Sequence, residues 1–315
     1  MPKFIPKQIK REELCCLIGK LTTVSPTLED RVFRAEKHNT LVRELLGEPE
    51  VLNTVRTGNV RLRSVMCLNE ETIFTCGEMS PVINRFNIEG VLQRTFITKS
   101  RIVPGDIAID KNGALLYTDW ITKTVCKVKN DQTDGIIRLE GWTPLNLCVT
   151  SSDDLLVTVF SDDLTQFKVV RYSGSALKQI IQFDDEGQPL YSGNCNIKHI
   201  SEKRNLDICV ADCGAGAVVV VNQAGKFRFR YKGHPLLTKN MPFEPRGITT
   251  DSQSRILTSD CKNHCIHILD TDGQFLRFID NCGLDYPRGL CVSSDDLLIV
   301  CEFLTCNVKK IRYSV

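Results

Sequence analysis

The sequence has no long apolar run. Its longest, such as Ala217–Val221 and Leu297–Cys301, fall far short of the ~20 residues a spanning helix needs, so no membrane association is expected. The N-terminal MPKFIPKQIKREE has basic residues with no apolar stretch behind them, which speaks against a secretory signal. An excess of either charge is also missing: 40 Lys and Arg stand against 38 Asp and Glu, a net charge of +2. A domain that grips nucleic acid through its phosphates usually carries a clear basic excess, so this balance weakens that class. No paired C-x-x-C framework occurs. With 42% hydrophobic and 25% charged residues the composition is globular, which excludes disorder, collagen and low complexity.

Cysteine, in contrast, is plentiful, at 15 residues. The chain is too long to need a disulfide scaffold, and most of these cysteines lie inside apolar alternating segments: Cys67, Cys148 and Cys291, then Cys76, Cys209 and Cys301. There a reduced thiol acts as a small buried hydrophobe, and a reducing, cytoplasmic compartment is expected.

A repeat organises the rest. Aligned apolar segments give anchors at Val65, Ile107, Leu147, Ile200, Ile248 and Leu290, with gaps of 42, 40, 53, 48 and 42 residues, the spacing of propeller blades. Twelve positions after the anchor stands Asp119, Asp212, Asp260 or Glu302 in four units, and six further on Val125, Val218, Ile266 or Val308. The third unit departs, with Val159 at the acidic position and an insertion at Ser161–Leu164. A proline precedes the anchor by three residues at Pro104, Pro144, Pro245 and Pro287. The fifth unit resolves into four short strands separated by turns at Asp251–Ser254 and Asp270–Gly273, which is hairpin chemistry. No helix-period stretch interrupts the units.

The predicted fold is therefore all-β: a six-bladed propeller over residues 51–315. The last unit runs out of chain before its fourth strand, while Val51–Arg56 is a strand without a blade, so the two ends are expected to share one sheet and leave no open edge. Residues 1–50 read as a linker. Leu14, Leu17, Ile18 and Leu21 mark one face of a short amphipathic helix within it.

The unit pattern Pro-Arg-Gly-Ile…Asp…Ile…Asp-Gly resembles the NHL repeat. Stretches such as Arg204–Asp212, Val218–Gly225, Gly247–Leu257 and Val308–Tyr313 resemble the NHL propellers of tripartite-motif proteins, in their invertebrate, mollusc-like group, over about residues 45–315. Members of that family join the propeller to a RING finger, B-boxes and a coiled coil, and the RING makes them ubiquitin ligases. This sequence shows no RING or B-box spacing. The resemblance implies the recognition half of that machinery, with no catalysis of its own, no cofactor, and a ubiquitination substrate or adaptor protein as partner.

In a propeller the residues just before each inner strand converge at one mouth of the channel. Two before the anchor stand Arg63, Gly105, Leu145, Lys198, Arg246 and Arg288. Four are basic, and converging cations favour a carboxylate, an acidic peptide or a phosphate. The competing reading pairs each with a carboxylate such as Glu244, Asp280 or Asp285 and gives it only a loop to tie. The long connections Asp184–Asn196 and Tyr231–Glu244 extend the partner surface with Tyr191, His234, Met241 and Phe243; inert solvated loops are the alternative.

Three other constellations carry chemistry. Cys261, His264, Cys265 and His267 are zinc-ligand types, but their spacing matches no strong zinc signature and no metal is expected. Asp119, Asp212, Asp260 and Glu302 recur at one place in successive units, which marks them as structural acids accepting N–H bonds at strand ends. Asp106 and Asn146 share a position one before the anchor, as a metal-dependent lactonase channel would require, yet no full ligand set follows and no small-molecule substrate is expected. RNA is the second partner class: Trp120, Lys123, Arg101 and Lys99 suit base stacking and phosphate contact, against Asp162, Asp163, Asp184, Asp185 and Glu186 on the same rim.

Overall fold

The computed structural model describes residues 43–130, 132–194, 196–238 and 241–315; the helix expected around Leu14–Leu21 lies outside them. Among the described residues the strands form six four-stranded antiparallel sheets. The chain opens with β1 (Leu45–Arg56). The first sheet then holds β2 (Leu62–Asn69), β3 (Thr72–Gly77), β4 (Val82–Asn87) and β5 (Leu92–Ile97). The second holds β6 (Ile107–Ile109), β7 (Leu115–Asp119), β8 (Thr124–Lys129) and β9 (Gln132–Arg138). The third holds β10 (Trp142–Val149), β11 (Leu155–Ser161), β12 (Phe167–Ser173) and β13 (Ala176–Ile181). The fourth holds β14 (Lys198–Glu202), β15 (Ile208–Asp212), β16 (Ala217–Val221) and β17 (Phe227–Tyr231). The fifth holds β18 (Pro245–Thr250), β19 (Ile256–Asp260), β20 (Cys265–Leu269) and β21 (Phe275–Ile279). In the sixth, β22 (Pro287–Val292), β23 (Leu298–Glu302) and β24 (Asn307–Ser314) are completed by β1. The protein is a six-bladed β-propeller closed by strands from both parts of the chain.

All six anchors sit on inner strands and are buried. Each blade is covered on both faces by its neighbours, so its middle strands read as continuous apolar runs instead of alternating. Every residue of β15, β16, β19, β20 and β23 is buried. The apolar core is divided among the gaps between blades. Phe74, Cys76 and Ile83 of the first blade pack on Ile107, Leu115 and Tyr117 of the second. Leu257, Ile266 and Ile268 of the fifth likewise pack on Leu290, Leu298 and Val300 of the sixth.

Two expectations are corrected here. The closing strand starts at Leu45, six residues before the boundary read at residue 51. Its early part pairs irregularly, Leu45 with Ser314 and Glu50 with Arg312, and Pro49 between them offers no N–H to a ladder. Cys67 and Cys291 are not separate thiols: they form a disulfide joining β2 to β22, the inner strands of the first and last blades. Sequence spacing hid this pair because the two residues meet only when the ring closes.

Candidate recognition site at the channel mouth

The recurrent Pro-Arg-Gly has a structural cause. On β18, Pro245 pairs with Asp260 and Ile248 with Thr258, and the register slips between them. On β22, Pro287 pairs with Glu302 and Leu290 with Val300, with the same slip. Proline has no N–H to donate, and the bulge that follows turns the arginine out of the ladder. The glycine is required by closeness: a Cβ on Gly247 would stand 1.9 Å from the Arg288 carbonyl oxygen. Ser259 fills the bulge, accepting from the Gly247 N–H at 2.7 Å and donating to the Arg288 carbonyl at 3.0 Å, so it links the fifth blade to the sixth. A slip between Leu62 and Ser64 similarly frees Arg63 on β2.

Arg63, Arg246 and Arg288 therefore converge over the channel, and all three act electrostatically on buried His199 beneath them. Their pairing differs. Arg246 bonds Glu244 through Nε at 2.9 Å and Nη2 at 2.7 Å, and Lys262 meets the other Glu244 oxygen at 2.8 Å. Burial alone would raise the Glu244 carboxyl, but the bonds from Lys262 and Arg246 hold it below its ordinary range. Arg288 pairs with Glu78 and lies 3.4 Å over the Phe303 ring, while its buried Nε has no hydrogen-bond partner among the described residues. Arg63 has no ion pair and no hydrogen bond among the described residues, and its Nε is buried without a partner. Burial pulls its guanidinium below the usual arginine value, with Cys76, Asp106 and Glu78 opposing. An unpartnered guanidinium in such a place is expensive unless an anion arrives to meet it.

One position further along the inner strands comes a ring of Ser64, Asp106, Asn146, His199, Gly247 and Gly289. Asp106 takes four donors: Ser64 Oγ at 2.6 Å and the Ile107 N–H at 2.9 Å on one oxygen, Asn146 Nδ2 at 3.0 Å and the Leu147 N–H at 3.3 Å on the other. Asn146 Nδ2 also approaches His199 Nδ1 at 3.3 Å. Burial pushes His199 down to about 4, Asp106 opposes, and the three arginines reinforce the fall. The imidazole is neutral at physiological pH. The polar side chains come from four successive blades and face glycines on the other two, beside a channel cavity of about 110 Å³.

Several expected site residues lie elsewhere. Lys198 is fully buried; its Nζ bonds the Asn194 carbonyl at 2.9 Å and side chain at 3.0 Å, stands 3.7 Å from Asp212 and lies over Phe167. It fastens the loop before β14 and is not presented to a partner. Tyr191 and Phe243, expected on a partner surface, are each 5% exposed. Long connections on a rigid ring need anchors, and these rings provide them, Tyr191 edge-on to Phe167 and Phe243 edge-on to Tyr231. His234 is half-buried and stacks on Phe275, whereas Met241 is exposed.

The recurrent acids all lie at the ends of second strands. Asp119 accepts from the Ile121 and Thr122 N–H groups, Asp212 from Ser192 and Ala215, Asp260 from Glu244, and Glu302 from Asp285. Cys261 and His264 stand apart from Cys265 and His267: His264 is half-buried beside Asp285 and accepts from the Tyr286 N–H. Of the residues suited to RNA, Trp120 is 43% exposed but its Nε1 bonds the Val103 carbonyl, and Lys123 is paired with Asp162 at 2.6 Å. Glu78, Ser259 and His199 were not singled out in the sequence. His199 had a signal, since it occupies the position of Asp106 and Asn146 in the next unit, and so had Ser259, which aligns with Thr118 and Thr158 eleven residues after their anchors.

No protein-family model matches the sequence, and no curated protein matches it at a significant level. Solved structures share the fold. Regucalcin from Agrobacterium tumefaciens, a calcium-binding protein, superposes with a TM-score of 0.64 at 10% identity, over 84% of this chain and 95% of its own. Virginiamycin B lyase from Staphylococcus aureus gives 0.59 at 10%, over 84% and 99%. A gluconolactonase from Xanthomonas campestris gives 0.59 at 13%, over 84% and 99%. At these identities the likeness establishes the six-bladed propeller and nothing finer.

Proposed function

We propose that this propeller is a non-catalytic recognition platform that takes an acidic segment of a protein partner at the mouth formed by Arg63, Arg246 and Arg288. The observation that carries the reading is Arg63, a half-buried guanidinium with no ion pair or hydrogen bond among the described residues, beside two arginines that already have theirs. A carboxylate arriving there gains charge-assisted bonds without displacing an existing pair. The repeat pattern supports the finer proposal that the partner is a ubiquitination substrate or adaptor, as for the tripartite-motif propellers it resembles; a shared fold alone does not assign function.

Chemistry in the channel is the second reading, favoured by Asp106 and His199 lining a cavity and by structural neighbours that are named as lyase and gluconolactonase. Against it, the four acceptor positions of the Asp106 carboxylate are all filled by the protein, the pattern of a structural tie. A labelled polyglutamate peptide titrated against the protein separates the readings. Salt-sensitive binding that Arg63→Ala weakens about tenfold, the scale of one charged hydrogen bond, supports the platform. Binding untouched by that change, or none, retires it, and tighter capture of single-stranded RNA transfers the face to nucleic acid.

A further inference from the structure

Outside the channel, the core of the fifth blade holds a group of metal-ligand side chains that the recognition face does not use. Asp260 ends β19 directly opposite Cys265, the first residue of β20, and His267 lies two residues along β20 on the same face. Their carboxylate oxygen, sulfur and imidazole nitrogen all lie within 4.8 Å of one another, and all three residues are buried. The spacing of Cys261, His264, Cys265 and His267 in the sequence suggested a different set. The strand pairing removes Cys261 and His264 and brings in Asp260 from the neighbouring strand.

A second observation points to a ligand. The Nδ1 of His267 is 2.8 Å from the Tyr231 hydroxyl. Its Nε2, inside a residue with no exposed surface, has no hydrogen-bond partner among the described residues although an Asp260 oxygen stands 3.3 Å away. In the tautomer whose Nδ1–H donates to Tyr231, Nε2 turns its lone pair toward a carboxylate and a sulfur, so that three metal-donor atoms converge in the blade core. We infer that Asp260, Cys265 and His267 bind a divalent zinc ion inside the fifth blade.

The donor chemistry and the surroundings fit that ion. Zinc accepts oxygen, sulfur and imidazole nitrogen together, at about 2.0–2.3 Å in a tetrahedron, and the three donors need only small movements to reach one centre. Cys265 binds as thiolate, its proton passing to solvent as the metal enters. Three protein donors leave the fourth position to a water molecule. The outer shell is already built: Tyr231 fixes the imidazole, Asn263 Nδ2 bonds an Asp260 oxygen at 2.8 Å, and the Glu244 N–H bonds the other at 3.3 Å. Such partners orient ligands and raise their affinity. Phe243 and Phe278 pack against the His267 ring at 4.9 and 4.8 Å and keep bulk water out.

The test uses the full chain purified without chelator. The expected result is about one zinc per chain by elemental analysis and a near-ultraviolet thiolate-to-metal band after cobalt exchange. That band should vanish in Cys265→Ser and persist in Cys261→Ser. Wild-type protein that stays substoichiometric in zinc after incubation with zinc, and shows no band after incubation with cobalt, overturns the site. A band that survives Cys265→Ser overturns this ligand set. If Cys265→Ser does not fold, the wild-type zinc content and cobalt spectrum decide the matter by themselves.

Discussion

Val55 of β1 stands directly opposite Val308 of β24, and both lie in the apolar cluster that Leu62, Val65 and Ile73 of the first blade complete. The closing strand thus fills the sixth blade and also supplies core to the gap between the sixth blade and the first. A chain beginning at Gly58 should lose both, expose the edge of β24, and aggregate. A milder probe is Val55→Asp, which places an unpaired carboxylate at a site 3% exposed. It should cost on the order of 3–4 kcal/mol, measured by urea denaturation. A soluble truncated protein with an unchanged cooperative transition would remove the closure argument.

His199 sets a pH dependence. An unfolded histidine titrates near ~6.5, while burial holds this one at about 4. Between those values the unfolded chain takes a proton that the native fold refuses. The contribution is therefore complete above ~6.5 and is lost progressively as the pH falls toward 4, on the order of 3 kcal/mol in all. Other groups also titrate in acid, so the comparison is with His199→Gln, whose acid destabilisation should be shallower by about that amount. A His199 imidazole that titrates near 6.5 in NMR spectra refutes the account.

Glycine at position 247 is a demand of the backbone. The Cβ of an alanine there would collide with the Arg288 carbonyl oxygen, a main-chain atom held by Ser259. Gly247→Ala should lose roughly 2–4 kcal/mol and loosen the seating of Arg288. Gly47→Ala is the control, because nothing among the described residues lies within 4 Å of a Cβ at that position, and it should be near neutral in a thermal melt.

These positions also show what was legible in the sequence. The six anchors, the acids at second-strand ends and the vacancy in the last blade were readable because each repeats, and repetition exposes geometry shared by every blade. The arginine mouth was readable in part. Arg63, Arg246 and Arg288 project to the channel, but Lys198 sits on a strand start without the same slip, so its side chain runs into the core. Burial of Tyr191 and Phe243 was hidden because irregular connections have no period to betray which side chain turns inward. Glu78, Cys67 and Cys291 were hidden for a different reason. Their partners come from the opposite end of the chain and become neighbours only through closure, which no local pattern encodes.

That closure is also covalent. The Cys67–Cys291 disulfide spans 224 residues of sequence and crosses the same seam that β1 and β24 close by hydrogen bonding. In the chain-entropy picture a loop of that length removes roughly 5 kcal/mol of freedom from the unfolded state, an upper bound because strain and residual structure subtract from it. Oxidised protein should therefore melt several degrees above protein kept in reductant, and Cys67→Ser should erase the difference. The reduced ring should still be folded, since the β1–β24 pairing does not depend on the bond. Peptide mapping after alkylation under non-reducing conditions checks the premise directly: both cysteines recovered as free thiols would leave the seam to hydrogen bonds and packing. In reductant the bond opens and the ring relies on the strand closure that Val55→Asp attacks, so the cost of that substitution should be greater in reductant than in air.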